Sequence, residues 1–238
     1  MNDTIRLKDL KDYFCKIRCP FYTDDFSCSD GQSCFLQDIK TKIFDSYNGT
    51  DISYQLVDYK FNPINPEIDK FDRHDIIGVV LDRRVPGTNY WICMVLTELI
   101  EDIWCTDPSL EIKTTLDNCV ENLKIIKDID PEFDKFPVFK KLQDNSKFFG
   151  RQLYLGSSLD YQSIQINSKK IENILEKYSI NNNIDFSDSF WTSSTGYDSN
   201  KYICGLYLDG NSVSCCYERD CSCSVLPLFI INNNYHEN

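Results

Sequence analysis

The run Phe190-Trp191-Thr192-Ser193-Ser194-Thr195 decides how this chain is read. Two large apolar rings are followed at once by four small hydroxyl residues. Trp191 is large enough to fill the space between a helix and a sheet, so core packing is its expected role, with ligand stacking the alternative. Hydroxyls at Thr192, Ser193, Ser194 and Thr195 can bond to backbone where a strand leaves the core. The stretch therefore reads as a strand over Ser189 to Ser193 that carries a core anchor and ends in polar fastening.

Three more strand candidates follow, at Tyr202 to Asp209, Ser212 to Tyr217 and Ser224 to Ile231. Asp209-Gly210-Asn211 between the first two is a strong hairpin signal, because Asp-Gly suits the positive φ of a tight turn. Upstream, residues 158–178 form the clearest helix, with Leu159, Ile164, Ile171, Ile174 and Leu175 on one apolar face and Ser157 or Ser158 as cap. Residues 113–127 repeat Leu116, Val120, Leu123 and Ile126 at intervals of three and four. Residues 131–147 read as another helix with Pro131 in its first turn, where a missing N–H costs nothing. Ile76 to Asp82 and Tyr90 to Leu96 are buried strands, and Arg83-Arg84-Val85-Pro86-Gly87 is the turn between them. Ile52 to Phe61 alternates as a strand does. At the start of the chain, helices over 4–14 and about 35–46 flank a cysteine-bearing stretch, and Asn48-Gly49 closes the second.

From residue 76 to about 231 this succession is similar to the C-terminal domain of collagen-like adhesins. The match runs through IIGVVLD at 76–82, the NYWICMVLTEL strand beginning at Asn89, GRQLYLGSSLDY at 150–161, Phe190 to Thr195, and Gly205 through Asp209-Gly210. In that family a W-x-L-P-S segment introduces the long helix, a Y-W-S-S-T strand follows it, and a later strand ends in D-G. This chain has Gly156 where the family has proline, and Val225-Leu226-Pro227-Leu228 where the family has V-R-P-V. The resemblance implies a C-type-lectin-like fold, shared with formylglycine-generating enzymes, the variable proteins of diversity-generating retroelements and phage receptor-binding proteins. It also implies that loops at one end of the sheet recognise partners, as loops on rigid scaffolds commonly do. The matching loops are Gly196 to Tyr202 and Tyr217 to Asp220, so Tyr197, Asp198, Asn200, Tyr202, Tyr217 and Arg219 are the candidate ligand-binding residues. Tyrosine, Ser and Asn suit such a surface. A solvated loop with incidental tyrosines is the alternative.

Twelve cysteines are many for a chain of this length. Cys15, Cys19, Cys28 and Cys34 form a compact cluster, and four thiolates can hold a structural zinc that contributes folding energy directly. The second gap is wider than usual zinc spacing, so two disulfides or free buried thiols remain open. Cys204, Cys215, Cys216, Cys221 and Cys223 crowd the final strands. Cys204 and Cys215 lie equally far from the Asp-Gly turn and are the expected cross-strand neighbours. Mostly buried thiols are expected here, with room for one disulfide.

A formal net charge of −12 and a sequence pI near 4.6 argue against a nucleic-acid partner, because phosphate backbones are bound by clustered Lys and Arg. No apolar stretch is long enough to span a bilayer. The opening residues carry no hydrophobic signal region, so synthesis in a cytoplasm without a signal peptide is expected, followed by residence in a virion or released assembly. The chain has two histidines. His236 lies in the expected tail and His74 in a charged loop. No nucleophile elbow, P-loop or dinucleotide fingerprint is present.

The expected organisation is α+β: a Cys-bearing helical module over 1–49, a C-type-lectin-like domain over 50–231 and a tail over 232–238. The expected function is non-enzymatic. The chain would be a recognition or structural component of a phage particle or bacterial surface assembly, oligomeric with other subunits and binding a protein or glycan receptor. A purely structural decoration or connector protein, and a degenerate formylglycine-generating-type enzyme, are the alternatives.

Overall fold

Along residues 91–96, Trp-Ile-Cys-Met-Val-Leu, successive side chains enter different cores. Trp91, Cys93 and Val95 join one apolar cluster, and Ile92, Met94 and Leu96 join another. A two-residue period with apolar groups on both sides is what a strand buried on both faces requires. The structure, a computed structural model, describes residues 51–97, 99–195, 202–208 and 215–232, with backbone alone at 99–100 and 215–217. They belong to one compact unit, Gly49–Asn238.

The described strands are β1 (Leu56–Asp58), β2 (Pro63–Ile64), β3 (Ile76–Arg84), β4 (Tyr90–Val95), β5 (Leu99–Ile103), β6 (Tyr154–Leu155), β7 (Ser189–Thr195), β8 (Tyr202–Tyr207), β9 (Cys215–Glu218), β10 (Ser222–Val225) and β11 (Pro227–Asn232). The α-helices among the described residues are α1 (Cys119–Ile129), α2 (Pro137–Phe149) and α3 (Ser158–Lys177). The fold is mixed α+β. One sheet has six strands in the order β2-β1-β3-β4-β11-β6, and the other has five in the order β5-β10-β7-β8-β9. At the centre of the first, β4 runs antiparallel to both neighbours, with Val80 and Phe229 flanking Cys93. A Cβ at Gly78 would lie 2.7 Å from the Met94 carbonyl oxygen and from the Phe229 ring, which explains a glycine inside this strand.

Each side of the six-stranded sheet has its own cover. Helix α3 buries Tyr161, Ile164, Ile171 and Leu175 in one cluster, and packs against β3, β7 and β8. Its start is a capping box: Ser157 accepts from the Asp160 amide, and the Asp160 carboxylate accepts from the Ser157 amide at 2.8 Å. The same carboxylate pairs with Arg83 Nε at 2.9 Å, and Arg83 Nη2 donates to the Asp117 carbonyl at 2.6 Å. The cap is thereby tied to β3. On the other side, Trp104 meets Phe136 and Phe139 edge-on, with centroids 5.7 and 5.4 Å apart.

Several boundaries differ from the sequence expectation. The helix expected over 113–127 begins at Cys119, because Asn118 caps it and accepts from the Val120 and Glu121 amides. The helix expected from Pro131 begins at Pro137, which takes the N1 position. Phe133 has φ of 56° in the turn before it. Arg83 and Arg84 lie in β3 rather than in the turn, which centres on Gly87 with φ of 72°. Only Leu56–Asp58 of the 52–61 stretch is a strand, since Tyr54 and Phe61 both take φ of 66°. The strand expected over Ser224 to Ile231 is broken at Leu226. Its first half, β10, joins the five-stranded sheet and its second, β11, the six-stranded sheet. The expected helices before residue 50 and the Asp209-Gly210-Asn211 turn lie outside the described residues. Among the described residues, no helix is long and apolar enough to cross a membrane.

Candidate functional site

Where β7 turns polar, its groups are taken up one by one. The Trp191 indole donates to the Asp102 carbonyl at 2.8 Å, and the ring is fully buried in the core, as its size implied. The Thr192 carbonyl accepts from the Trp104 indole at 2.9 Å. Ser193 donates its amide to the Gly156 carbonyl at 2.7 Å, and its hydroxyl accepts from Asn122 at 2.8 Å. The Ser194 hydroxyl donates to the Thr115 carbonyl and accepts from the Ser158 amide, both at 2.9 Å. The Thr195 amide donates to the Thr114 hydroxyl at 2.8 Å. Asn122, on α1, closes the system by accepting from the Thr115 amide at 2.7 Å and donating to the Thr115 carbonyl at 2.8 Å. This buried seam binds the end of β7 to the 114–115 segment, to α1 and to the start of α3. Fully satisfied polar networks in a low-dielectric interior rigidify what they join.

The seam ends where the expected loop face begins. Tyr197, Asp198 and Asn200 lie outside the described residues. Tyr202 opens β8 opposite Glu218 of β9 and is 39% exposed. Tyr217 stands opposite Ile203 by its backbone. Arg219 follows β9 directly and is buried, with 1% of its surface exposed. Its carbonyl accepts from the Cys105 amide at 3.0 Å, and its Nη1 donates to the Leu110 carbonyl at 2.7 Å. Its Nε and Nη2 are buried and find no nitrogen or oxygen partner among the described residues, while the guanidinium also meets the Cys105 side chain, a weak acceptor. Burial lowers the guanidinium's pKa from its ordinary value, with the nearby Cys105 and Asp107 opposing that shift. Burial likewise raises the Cys105 thiol, which keeps it neutral. Arg219, expected on an exposed loop, therefore lies beneath the 105–110 segment.

Cys15, Cys19, Cys28 and Cys34 lie outside the described residues. Cys93, Cys105, Cys119 and Cys223 are buried thiols, and Cys221 is an exposed one. Burial pushes Cys93 and Cys119 well above the usual thiol range and Cys223 up to about 11. The β8–β9 register places Cys204 opposite Cys216, and Gly205 opposite Cys215, one residue away from the pairing expected by counting from the turn. His74 lies in an exposed 3-10 turn, Arg73–Asp75, with its amide donating to Asp72 at 2.9 Å. A shallow depression between β5 and α2 is rimmed by charges that are paired, Lys141 with Asp102 at 2.9 Å and Lys140 with Asp134 at 2.5 Å. Among the described residues, no group of three or more His, Cys, Asp or Glu side chains is placed to hold a metal ion.

Sequence reasoning identified the hydroxyl run as fastening but not its partners. Asn122 gave no local signal, because Ser193 is 71 residues away. The Arg83–Asp160 pair joins positions 77 residues apart and was equally silent. Asp160 was findable as the third helical residue of a Ser-initiated cap.

No family model matches the chain, and no curated protein matches it. The fold is similar to that of a fimbrial protein from Bacteroides ovatus ATCC 8483, known from a crystal structure at 1.85 Å resolution. The TM-score is 0.53 and the sequence identity 12%, over 74% of this chain and 48% of that one. The match thus spans about half of that protein's length, and at this identity it is a likeness of fold alone.

Proposed function

We propose that this chain is a non-enzymatic recognition or structural component of a bacterial surface assembly. The fold likeness to a fimbrial protein carries this reading, and it favours a cell-surface structure over a phage particle. The lectin-like resemblance of residues 76–231 refines it: the sheets are the scaffold, and a face built from Tyr197, Asp198, Asn200, Tyr202 and Tyr217, with Arg219 buried behind it, meets a protein or glycan. The satisfied seam at the end of β7 supports that refinement, because it gives the loop after Thr195 a rigid base. Residues 1–49 are a docking module, with Cys15, Cys19, Cys28 and Cys34 holding a structural zinc.

The test is fractionation of the source cells with quantitative mass spectrometry. The chain is expected in the surface or released fraction, at fixed stoichiometry with other subunits. Recovery only as a cytoplasmic monomer overturns the assembly reading. Metal analysis of protein purified under reducing conditions is expected to give one zinc per chain. No zinc, with all 12 thiols titrating freely after denaturation, removes the zinc assignment.

A further inference from the structure

The register of the last two antiparallel strands sets one cysteine against another. Cys204 of β8 stands directly opposite Cys216 of β9, while Cys215 stands opposite Gly205. Successive residues of a strand belong to opposite faces, so Cys216 shares the face of Cys204 and Cys215 does not. Directly opposite residues of an antiparallel pair have Cα atoms about 4.5–5.5 Å apart, within the roughly 4.4–6.8 Å that a disulfide spans. Their Cβ atoms lie about 4.5–5.5 Å apart, against about 3.5–4.5 Å across a disulfide, so a small approach of the strands is enough to close the bond. Strand β9 is free to make it, because it is the last strand of the five-stranded sheet and among the described residues pairs with β8 alone. The other neighbour of β8 is β7, which carries no cysteine. Cys93 lies in β4 of the other sheet, Cys119 in α1, and Cys223 in β10, which β7 separates from β8.

We infer that Cys204 and Cys216 close into a cross-strand disulfide in an oxidising environment. The oxidant is another disulfide, of the kind that a thiol oxidoreductase or oxidised glutathione carries. One cysteine attacks it as the thiolate and breaks its S–S bond, releasing one of its sulfurs as a thiol. The second thiolate then attacks the first cysteine's sulfur in this mixed disulfide, and the oxidant's other sulfur leaves. The chain gives up two electrons and two protons, and the oxidant receives them as two thiols. Disulfides of this kind persist outside the cytoplasm and are rare within it. The closed pair is therefore the form expected on a cell surface. That clause rests on the assembly reading, whereas the pairing rests on the register. The bond fastens an edge strand one rung from Tyr217 and two rungs from Tyr202, so it holds the ladder that carries two of the candidate face residues. Closing the 204–216 loop stabilises the fold mainly by restricting the unfolded chain.

The test takes the full chain, reduced and folded, into a buffer of glutathione and glutathione disulfide. Remaining thiols are then blocked with N-ethylmaleimide, and the peptides are mapped without reduction. Trypsin cuts after Lys201 and Arg219, and an aspartate-directed protease cuts before Asp209, which parts Cys204 from Cys215 and Cys216. The expected product is residues 202–208 joined to 209–219, with fragmentation placing the bond on Cys216. The bond is expected to persist in Cys215→Ser and to vanish in Cys216→Ser. Oxidation is expected to raise the urea midpoint of Cys215→Ser by more than that of Cys216→Ser. Cys204 carrying N-ethylmaleimide or glutathione, or joined to Cys215 or to any other cysteine, overturns the inference, and this readout in the parent chain requires no variant to fold. If fractionation finds the chain in a surface assembly and the map leaves Cys204 out of a bond with Cys216, this inference alone fails. If the bond forms and the chain is found only in the cytoplasm, the pair stands and the surface assembly falls.

Discussion

The end of β7 and the position just after β9 are both buried and both polar, yet they are built on opposite terms. At Thr192–Thr195 the buried groups find partners on α1, α3 and the 114–115 segment. At Arg219 a full charge is buried, and two of its three nitrogens find no nitrogen or oxygen partner among the described residues. Buried polar groups that are satisfied specify a structure, and one that is not requires a separate explanation. The contrast separates a polar region that specifies the architecture from one that does not. It also yields an ordered set of stability effects, large in the satisfied region and small at Arg219.

The largest effect is expected at Asp160, which completes the capping box of α3 and neutralises Arg83. Asp160→Ala removes the cap and strands a guanidinium whose side chain is 9% exposed, so a loss of about 3–5 kcal/mol in urea unfolding is expected. A loss below about 1 kcal/mol would show that water reaches Arg83 freely and that the seam's edge is not closed. Next comes Asn122→Ala, which orphans the Thr115 amide and the Ser193 hydroxyl together, while the Thr115 carbonyl keeps its bond from Ser194. About 2–3 kcal/mol is expected, checked by the same unfolding curves. An unchanged midpoint would mean that the network repairs itself with water and that its satisfaction is incidental.

Gly156 sharpens the contrast further. Its amide donates to the Tyr161 hydroxyl at 3.3 Å, and that hydroxyl donates to the Leu226 carbonyl at 2.5 Å. A Cβ there would lie 2.7 Å from Leu228 Cδ1 and 3.0 Å from the Tyr161 ring. The proline of the collagen-like adhesin pattern would lose that donor and meet those atoms. Gly156→Ala is expected to cost about 1–3 kcal/mol by overpacking, read as a lowered melting temperature. A neutral substitution would show that Leu228 can turn aside, and that the close approach of β6 to β11 is not a constraint.

What the sequence disclosed follows the same division. The helix α3, the two central strands and the fastening role of the hydroxyls were legible because each rests on local periodicity or local chemistry. The break at Leu226 was not, since a continuous apolar run reads alike whether it stays in one sheet or passes to another. Pro131 and Pro137 offer the same N1 signal, and only the turn at Phe133 decides between them. The Cys204 register escaped counting because a hairpin's register depends on its loop geometry, which the residue types do not fix. Arg219 was picked out as a binding residue from its neighbours in sequence. Its burial depends on a segment 109 residues away and left no trace there.

The smallest expected effect is the one that tests the contrast most directly. Arg219→Met keeps most of the side-chain volume and removes the charge. If the guanidinium were part of the architecture, its loss would resemble that of Asn122. Among the described residues it has one strong side-chain hydrogen bond, to the Leu110 carbonyl, and a weak contact with Cys105, against the desolvation of a whole cation. Replacing a buried charge by an apolar group of similar size is commonly neutral or stabilising. No loss beyond about 1 kcal/mol is therefore expected in urea unfolding, and a gain in stability fits equally well. A loss matching that at Asn122 would mean that Arg219 is held by contacts of the same kind as the seam and is fastening. A near-neutral result leaves the charge no part in holding the fold, and the contrast with the seam stands.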